Sequence, residues 1–408
     1  MSAPLTSAVD APAAQRVFDL EQAHVLQNYA RYPLVVHRGR GCYVYDLEGR
    51  RYLDMISGIG VNALGHAHPR IVKVIREQAA LLTHCSNLYY HEYQGPLAGR
   101  LAAMSGLERV FFANSGTEAV EGAIKMCHAH GRAIDPAKTE IISLGNSFHG
   151  RTCGALALTG QAKYREPFEP LLPGVRFVEP GDAQGLEQAF SERTAGIILE
   201  WVQGEGGVRP LPEAFVAKAR ELAGQYNALL VFDEIQCGLG RLGLYFGYQL
   251  SNPPILPDVA LVAKPLAVGL PLAAILANAK AAAAIGPGMH GSTFGGGALA
   301  CRVALEFLEL LDELLPSIRQ VGAYFRGRLE ELARRFSFIR EIRGQGLMLG
   351  IDMEIPGKQM VNDALGENLL LNCTHDTVLR FLPPYILTER DVDTAVEALT
   401  RIFEKTGR

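Results

Sequence analysis

Short apolar, β-branched runs alternate with segments of helical periodicity between about residue 76 and residue 300. The runs are RVFFA, TEIISL, VRFVE, AGIILE, ALLVFDE, PDVALVA and LAAILA. Runs of this length, separated by helical stretches, are typical of parallel strands that helices cover on both faces. The pattern therefore predicts an α/β domain with a mainly parallel seven-stranded sheet.

The chain has a different pattern on either side of this region. Residues 1–75 mix an early helix with short strands, and YDLEGRRY predicts a hairpin that turns at Glu48-Gly49. From Cys301 onward the pattern predicts a long amphipathic helix, a second helix in VGAYFRGRLEELARRF, two strands and a final helix. We therefore expect a large domain of residues 76–300 and a smaller α+β domain of residues 301–408, which the segment 1–75 joins.

Composition and charge narrow the class of protein. The chain has 408 residues, of which 48% are hydrophobic and 20% charged, as in soluble proteins of more than one domain. The net charge is −4 with no basic cluster, so we expect no nucleic-acid partner. Seven cysteines without a CxxC pair, and an N-terminus without a continuous apolar run, predict a cytoplasmic protein with reduced thiols.

A single charged residue, Lys264, interrupts the apolar run from Val259 to Asn278. A membrane span would place this lysine in hydrocarbon at a cost of about 2.5–3.5 kcal/mol, so a strand, a turn and a second strand explain the run better, and no membrane partner is expected. A lysine at a strand end either extends its stem to water or takes part in chemistry. The run by itself leaves both possibilities open.

Polar side chains also follow two earlier strands, at the edge where open α/β sheets bind ligands. After RVFFA, Ser115 and Glu118 have the spacing of a capping box, so a helix should begin near Gly116. Its first N–H groups suit a phosphate, although an ordinary capped helix has the same spacing. After TEIISL, Phe148 could stack on a planar ligand and Arg151 could bind a carboxylate, unless the segment is only a surface loop.

The next two strands end on carboxylates. Glu200 and Glu205 lie in a glycine-rich loop, a composition that by itself predicts a solvated turn, and Asp233 ends a strand that must be buried. The nearby GLGRLG at 238–243 fits the dinucleotide pattern of a nicotinamide-dependent dehydrogenase. However, DEIQC separates it from the strand and a proline-containing segment follows. The histidine pairs in GHAHP and HAH lack further ligands, so we expect no metal site.

Together these residues meet the needs of one cofactor. A phosphate-binding helix start, an aromatic ring, a strand-end aspartate and a lysine in an apolar run occur on successive strand ends. A planar ring that carries a phosphate, a ring nitrogen and an aldehyde requires these four groups. Pyridoxal phosphate has this chemistry, and its usual partners are a Schiff-base lysine and an acidic group at the ring nitrogen.

Ordered motifs along nearly the whole chain resemble the class III pyridoxal-phosphate aminotransferases, especially their acetylornithine branch. The motifs are ANSGTEAVEGAIK, SFHGRT, QGEGG, FDEIQCGLGRLG, HGSTFGG and LLLNCTHDTVLRFLPPYILT. The resemblance implies a fold type I transferase that moves the ω-amino group of N-acetylornithine to 2-oxoglutarate in arginine biosynthesis. Ornithine, succinylornithine and 4-aminobutyrate are the alternative donors. A non-catalytic relative would be expected to lose Lys264 or Asp233, and both are present.

The resemblance also implies a role for each site residue. Lys264 would form the Schiff base and move the substrate proton, while Asp233 would pair with the ring nitrogen. The other cofactor contacts would be Gly116 and Thr117 at the phosphate, Phe148 on the ring, Gln236 near the ring hydroxyl, and Thr293 at the phosphate of the neighbouring subunit of a homodimer. The substrate contacts would be Arg151 and Ser292 for the amino donor, Arg380 for the α-carboxylate of glutamate or 2-oxoglutarate, and Glu205 as a mask for Arg380.

This sequence departs from the family pattern directly after the lysine. The family usually has a glycine there, whereas this chain has Pro265. A proline restricts the residue before it, so we expect extended backbone at Lys264.

Overall fold

The computed structural model describes residues 12–406, so the expectations about residues 1–11, 407 and 408 lie outside the described residues. The strands of this part of the chain are β1 (Val36–Arg40), β2 (Tyr43–Asp46), β3 (Arg51–Asp54), β4 (Arg109–Ala113), β5 (Glu140–Leu144), β6 (Val175–Val178), β7 (Thr194–Leu199), β8 (Val202–Gln203), β9 (Arg209–Pro210), β10 (Leu229–Asp233), β11 (Val259–Val262), β12 (Ala273–Ala277), β13 (Ile339–Gln345), β14 (Met348–Met353), β15 (Leu369–Leu370), β16 (Asn372–Thr374) and β17 (Val378–Phe381).

The helices are α1 (Pro12–His24), α2 (Ser57–Gly60), α3 (Pro69–Ala79), α4 (Gln94–Ser105), α5 (Gly116–Ile134), α6 (Cys153–Ala157), α7 (Ala162–Arg165), α8 (Ala183–Ala189), α9 (Glu213–Gln225), α10 (Ala279–Ala282), α11 (Ala298–Arg335), α12 (Lys358–Gly366) and α13 (Glu389–Thr406). Two 3₁₀ turns, Glu166–Phe168 and Gly247–Leu250, complete the regular structure of residues 12–406.

The large sheet has seven strands in the order β4-β12-β11-β10-β7-β5-β6. Every pair is parallel except those that β12 makes with β4 and β11. All residues of β7, β10, β11 and β12 are buried, as expected for strands covered on both faces. The predicted α/β class and the mainly parallel seven-stranded sheet are confirmed, and the carboxyl ends of the parallel strands meet at one edge.

Two smaller sheets connect distant parts of the chain. The predicted hairpin is confirmed as β2 and β3, and Gly49 in its turn has a φ of 82°. Strand β3 also pairs with β15, which joins the N-terminal segment to residues near the C-terminus. Strands β13, β14, β17 and β16 form an antiparallel sheet in that order. The domain boundaries at residues 75 and 300 stay predictions, and α11 crosses the second of them.

Two stretches show how the apolar runs fold. The run from Val259 to Asn278 forms β11, a turn and β12, as predicted, and no helix within residues 12–406 is long and apolar enough to cross a membrane. The two helices expected after Cys301 are instead one 38-residue helix, α11. Within this helix Gly322 packs against the backbone of Gly346, and a Cβ there would come within 2.7 Å of the Gly346 carbonyl carbon.

Candidate active site

A pocket of about 510 Å³ lies at the carboxyl ends of β7, β10 and β11, beside the start of α5. Eight of the predicted site residues line it together: Gly116, Thr117, Phe148, Arg151, Glu205, Asp233, Gln236 and Lys264. The lining also includes residues to which the sequence analysis gave no role, among them His149, Glu200 and Ile235. The pocket is therefore assembled from the loops that follow successive strands, as the fold class requires.

The first of these loops presents unpaired backbone donors. Helix α5 begins at Gly116, and the Ser115 hydroxyl accepts from the Glu118 N–H at 3.4 Å. The Glu118 carboxylate reaches the N–H of Asn114 at 2.8 Å and not that of Ser115, so only half of the predicted capping box forms. Within residues 12–406 the N–H groups of Gly116 and Thr117 have no acceptor, which leaves the helix start free to bind an anion.

Two glycines allow close packing around this helix start. A Cβ on Gly116 would come within 2.9 Å of the Ile235 side chain, and one on Gly150 within 2.3 Å of the Thr117 hydroxyl. That hydroxyl accepts from the N–H groups of Arg151 and Thr152, both at 3.2 Å. The loop after β5 is thereby fixed against α5, and the space beside the free N–H groups suits a phosphate.

Asp233 ends β10 and is 4% exposed. Its Oδ2 accepts from His149 Nδ1 at 2.7 Å, and its Oδ1 accepts from the Ile235 N–H at 3.1 Å. His149 is also buried, and its Nε2 has no partner within residues 12–406. Sequence reasoning missed His149 because its partner lies 84 positions away; its place beside Phe148 in a strand-end loop was the available signal.

Glu200 is buried, whereas the composition of its loop predicted a solvated turn. The side chain is buried beneath two loops, accepting from the N–H groups of Phe148 at 3.1 Å and Gly204 at 3.3 Å. The pKa of Glu200 is raised to about 7, chiefly by desolvation; His149 opposes the rise and the charge of Asp233 adds to it. The solvated-turn expectation was wrong because composition does not reveal which loops close over a carboxylate.

Lys264 follows β11 and points into the pocket lining. Its pKa is lowered, chiefly by desolvation and also by the positive charge of Arg380, although Glu205 opposes the change. The neighbouring backbone turns tightly, since Leu266 donates to the Ala263 carbonyl at 2.8 Å and Val268 to the Pro265 carbonyl at 3.1 Å. A lysine whose ammonium form is disfavoured suits the roles of nucleophile and base.

At the Glu205 end of the pocket, the lining residues Glu205 and Gln236 contact a buried arginine, Arg380, which is not itself part of the lining. Arg380 lies on β17, is 1% exposed, and its Nη1 contacts Glu205 Oε1 at 2.5 Å and Gln236 Oε1 at 3.2 Å. Burial by itself would raise the pKa of Glu205, but the charge and hydrogen bond of Arg380 outweigh it, so the pKa is lowered. Gln236, expected near the ring hydroxyl, here takes part in the contact between the other two residues.

Arg151 lines the pocket from its exposed side, whereas the predicted residues Ser292 and Thr293 lie outside the lining. The Arg151 guanidinium is exposed and lies 4.0 Å from the centre of the Tyr164 ring and 5.2 Å from that of Phe148. The Ser292 hydroxyl accepts from the Asn114 side chain at 3.1 Å, outside the pocket lining. Thr293 is exposed and likewise outside the lining, so the structure does not bring it to the pocket of its own chain.

The GLGRLG segment lacks the strand-to-helix context of a dinucleotide-binding motif. It forms consecutive turns, with a 3₁₀ turn after it in place of a helix. Arg241 inside it is 1% exposed, and its Nη1 donates to the carbonyls of Leu347 at 3.1 Å and Pro383 at 2.5 Å. Its guanidinium also lies 4.5 Å from the centre of the Tyr385 ring. The motif connects the β10 loop to the C-terminal sheet, and the dehydrogenase interpretation lacks its structural context.

This combination of fold and pocket is that of an aminotransferase, and comparison with known proteins agrees. The model of the aminotransferase class-III family matches residues 25–403. The acetylornithine aminotransferase of Aquifex aeolicus is 45% identical over 381 residues, which cover 93% of this chain and 100% of that protein. The chain belongs to the class-III aminotransferases.

Solved structures support the same assignment. The ornithine aminotransferase from Toxoplasma gondii ME49 superposes with a TM-score of 0.92 at 32% identity, covering 98% of this chain and 96% of that one. An amine transaminase from an uncultivated Pseudomonas species, solved in its PLP-bound internal aldimine form, gives a TM-score of 0.87 at 28% identity. That alignment covers 93% of this chain and 98% of the other. The fold type I assignment is confirmed.

Proposed function

We propose that this enzyme uses pyridoxal phosphate to move the ω-amino group of N-acetylornithine to 2-oxoglutarate, giving the semialdehyde and glutamate for arginine biosynthesis. The observation that carries the proposal is that Glu205, which lines the same pocket as Lys264, pairs with the buried Arg380. A reaction with two dissimilar amino donors requires a carboxylate-binding arginine that is available to one donor only. The name of the relative from Aquifex aeolicus supports acetylornithine as the other donor.

The pocket fits the cofactor at each of its functional groups. The free N–H groups of Gly116 and Thr117 suit its phosphate, and the Phe148 ring suits a planar face. When bound, pyridoxal phosphate supplies an electron sink for the charge left on the substrate carbon. Asp233, oriented by His149, offers the negative charge that keeps a ring nitrogen protonated. Lys264 Nζ accepts the substrate proton and returns it, because its lowered pKa leaves the amine free to act as a base.

Arg380 and Glu205 distinguish the two donors. Glutamate carries its reacting amine beside the α-carboxylate, so Arg380 must bind that carboxylate as Glu205 withdraws. N-acetylornithine reacts at an amine far from its α-carboxylate, and Glu205 then neutralises Arg380 by the contact at 2.5 Å. The resemblance assigns the amino-donor contacts to Arg151 and Ser292, and we retain both in the proposal.

We also propose a homodimer in which Thr293 reaches the phosphate site of the neighbouring subunit. Thr293 and Phe294 are exposed, and Asn87 donates to the carbonyls of Ser292 and Gly295, both at 3.0 Å, which joins this loop to the exposed segment 88–90. Contiguous apolar surface of this kind is typical of a subunit interface. A cytoplasmic location belongs to the same proposal, since the seven cysteines are free thiols.

The donor assignment is tested by measuring kcat/KM for N-acetylornithine, succinylornithine, ornithine and 4-aminobutyrate with 2-oxoglutarate as acceptor. We expect N-acetylornithine to give the highest value, by a factor of about 10 to 200, because pocket contacts of this size discriminate by about 1–3 kcal/mol. Lys264→Ala is the control that should lose activity with every donor and lose the visible absorbance of the bound cofactor. A higher kcat/KM for another donor contradicts the assignment.

The role of Glu205 is tested with Glu205→Ala. Loss of a charge-assisted hydrogen bond to a buried arginine should shift the ratio of kcat/KM values toward glutamate by about tenfold, because Arg380 is then always available. Single-turnover rates with each donor measure the ratio directly. An unchanged ratio would show that Glu205 does not mask Arg380.

A further inference from the structure

Both partners of the Glu205–Arg380 pair are held by one short strand, β16. In the register of β16 and β17, Asn372 lies opposite Arg380 and Thr374 opposite Val378. Residues that face each other across antiparallel strands share a sheet face, as do residues two apart on one strand. Asn372, Thr374 and Arg380 therefore lie on the same face of the C-terminal sheet, toward the loop that carries Glu205.

Asn372 holds the side of the guanidinium that points away from Glu205. Its Oδ1 accepts from Arg380 Nε at 3.1 Å, whereas Glu205 contacts Nη1. The amide is neutral, so it orients the guanidinium without neutralising its charge. Arg380 is thus kept in a position from which its terminal nitrogens can bind either Glu205 or a substrate carboxylate.

Thr374 holds Glu205 by its backbone. The Thr374 hydroxyl donates to the Glu205 carbonyl at 2.8 Å, and Thr374 is buried. The same loop is supported further along, where Arg343 donates to the Gly207 carbonyl at 3.4 Å. The backbone at Glu205 is therefore fixed to the sheet, while its side chain is 25% exposed and has Arg380 as its partner.

We infer that Asn372 and Thr374 are positioning residues. They hold Arg380 and the backbone of Glu205 in place, so that only the Glu205 side chain moves when one substrate replaces the other. This inference rests on the proposed function, because it requires that Glu205 mask Arg380. Thr374 favours the masked state by keeping the Glu205 carboxylate within reach of Arg380. Asn372 keeps the guanidinium in the position from which it binds a substrate carboxylate once Glu205 has withdrawn.

These two roles predict opposite changes in substrate preference. Thr374→Val removes the hydroxyl at nearly constant volume, so Glu205 should pair less well and the ratio of kcat/KM values should shift toward glutamate by about fivefold. Asn372→Leu removes the acceptor from a buried charged donor, so KM for glutamate should rise about tenfold. The kcat for the ω-amino donor should stay within about twofold in both variants.

Matched controls separate positioning from a general loss of structure. Thr374→Ser keeps the hydroxyl and should restore the wild-type ratio. Cys373 lies between Asn372 and Thr374, pairs with Leu379 and faces the other side of the sheet. Cys373→Ser should therefore leave the ratio of kcat/KM values unchanged. The dissociation constant of glutarate from the holoenzyme gives a readout independent of turnover: it should fall in Thr374→Val and rise in Asn372→Leu.

The experiment includes Glu205→Ala as a reference. If Glu205→Ala changes the ratio and the two strand variants shift it in opposite directions, the inference is supported. If Glu205→Ala changes the ratio but the strand variants leave it unchanged or shift it the same way, the inference is wrong and the masking role of Glu205 survives. If Glu205→Ala also has no effect, both the inference and the masking role are overturned.

Discussion

The two ends of the pocket are constructed in different ways. At the Asp233 end, formed by Asp233, His149 and Glu200, every carboxylate is buried and accepts hydrogen bonds from groups of the large sheet and its loops. At the Arg380 end, formed by Arg380 and Glu205, the two partners are 175 positions apart and one of them is partly exposed. A fixed end suits chemistry common to both half-reactions, and an adjustable end suits the choice between two substrates.

A substitution at Asp233 should give the largest effect and should test whether the Asp233 end serves both half-reactions. Asp233→Asn keeps the shape of the side chain but removes its negative charge, so we expect kcat to fall by about 10² to 10³. The fall should be equal with N-acetylornithine and with glutamate, because the Asp233 end serves both. Single-turnover rates with each donor measure this, and the visible absorbance of the holoenzyme confirms that cofactor is still bound. Unequal losses would contradict a division of labour between the two ends.

Sequence could predict much of the Asp233 end because its residues follow local rules. Asp233 ends one buried strand, Lys264 lies two residues after the end of another, and the helix start at Gly116 carries its own capping signal. Because strands alternate with helices and run parallel, the loops after these strands meet at one edge of the sheet. His149 and Glu200 escaped this reasoning, since their burial depends on contacts between loops that are distant in the chain.

The Arg380 end depends almost wholly on tertiary structure. Nothing local to Glu205 indicates a partner on β17, and the pairing was expected only from family resemblance. The short strand β16 likewise has no strong pattern, so the places of Asn372 and Thr374 emerge only from its register with β17. The close approach of helix α11 to Gly346 at Gly322 is a long-range contact of the same kind, which no local pattern indicates.

Arg241 connects the loop after β10 to the segments around Leu347 and Pro383, and its removal should disturb the two ends of the pocket unequally. Arg241→Met leaves the buried carbonyls of Leu347 and Pro383 without their donor, which should lower the free energy of unfolding by about 3 kcal/mol. Pro383 lies close to Arg380 in the chain, so KM for 2-oxoglutarate should rise several-fold while cofactor affinity changes less. Denaturant unfolding and steady-state kinetics measure the two effects.

Arg319 provides a matched control for Arg241. It donates to the Gly243 carbonyl at 3.0 Å in the same loop, but its side chain is exposed. Arg319→Met should change the free energy of unfolding by no more than about 0.5 kcal/mol. If Arg241→Met and Arg319→Met lower the free energy of unfolding equally, burial of Arg241 does not strengthen its contacts with Leu347 and Pro383.

An effect smaller than that of Arg241→Met is expected from the different pH dependence of Glu200 and Glu205. The pKa of Glu200 is raised from 4.5 to about 7, so the folded state retains its proton between these values and loses stability as pH rises through this window. The pKa of Glu205 is lowered from 4.5, so its contribution to stability is present above pH 4.5 and is lost as pH falls through the lowered value. The two carboxylates should therefore give opposite slopes.

Glu200→Gln and Glu205→Gln, each compared with the wild type in the cofactor-free enzyme, reveal these slopes. The free energy of unfolding of the wild type minus that of Glu200→Gln should fall by on the order of 2 kcal/mol between pH 4.5 and pH 7. The corresponding difference for Glu205→Gln should rise with pH and reach its plateau above pH 4.5. Urea unfolding across the pH range measures both. Slopes of the same sign would mean that the two ends share one electrostatic environment, contrary to the distinction between a fixed and an adjustable end.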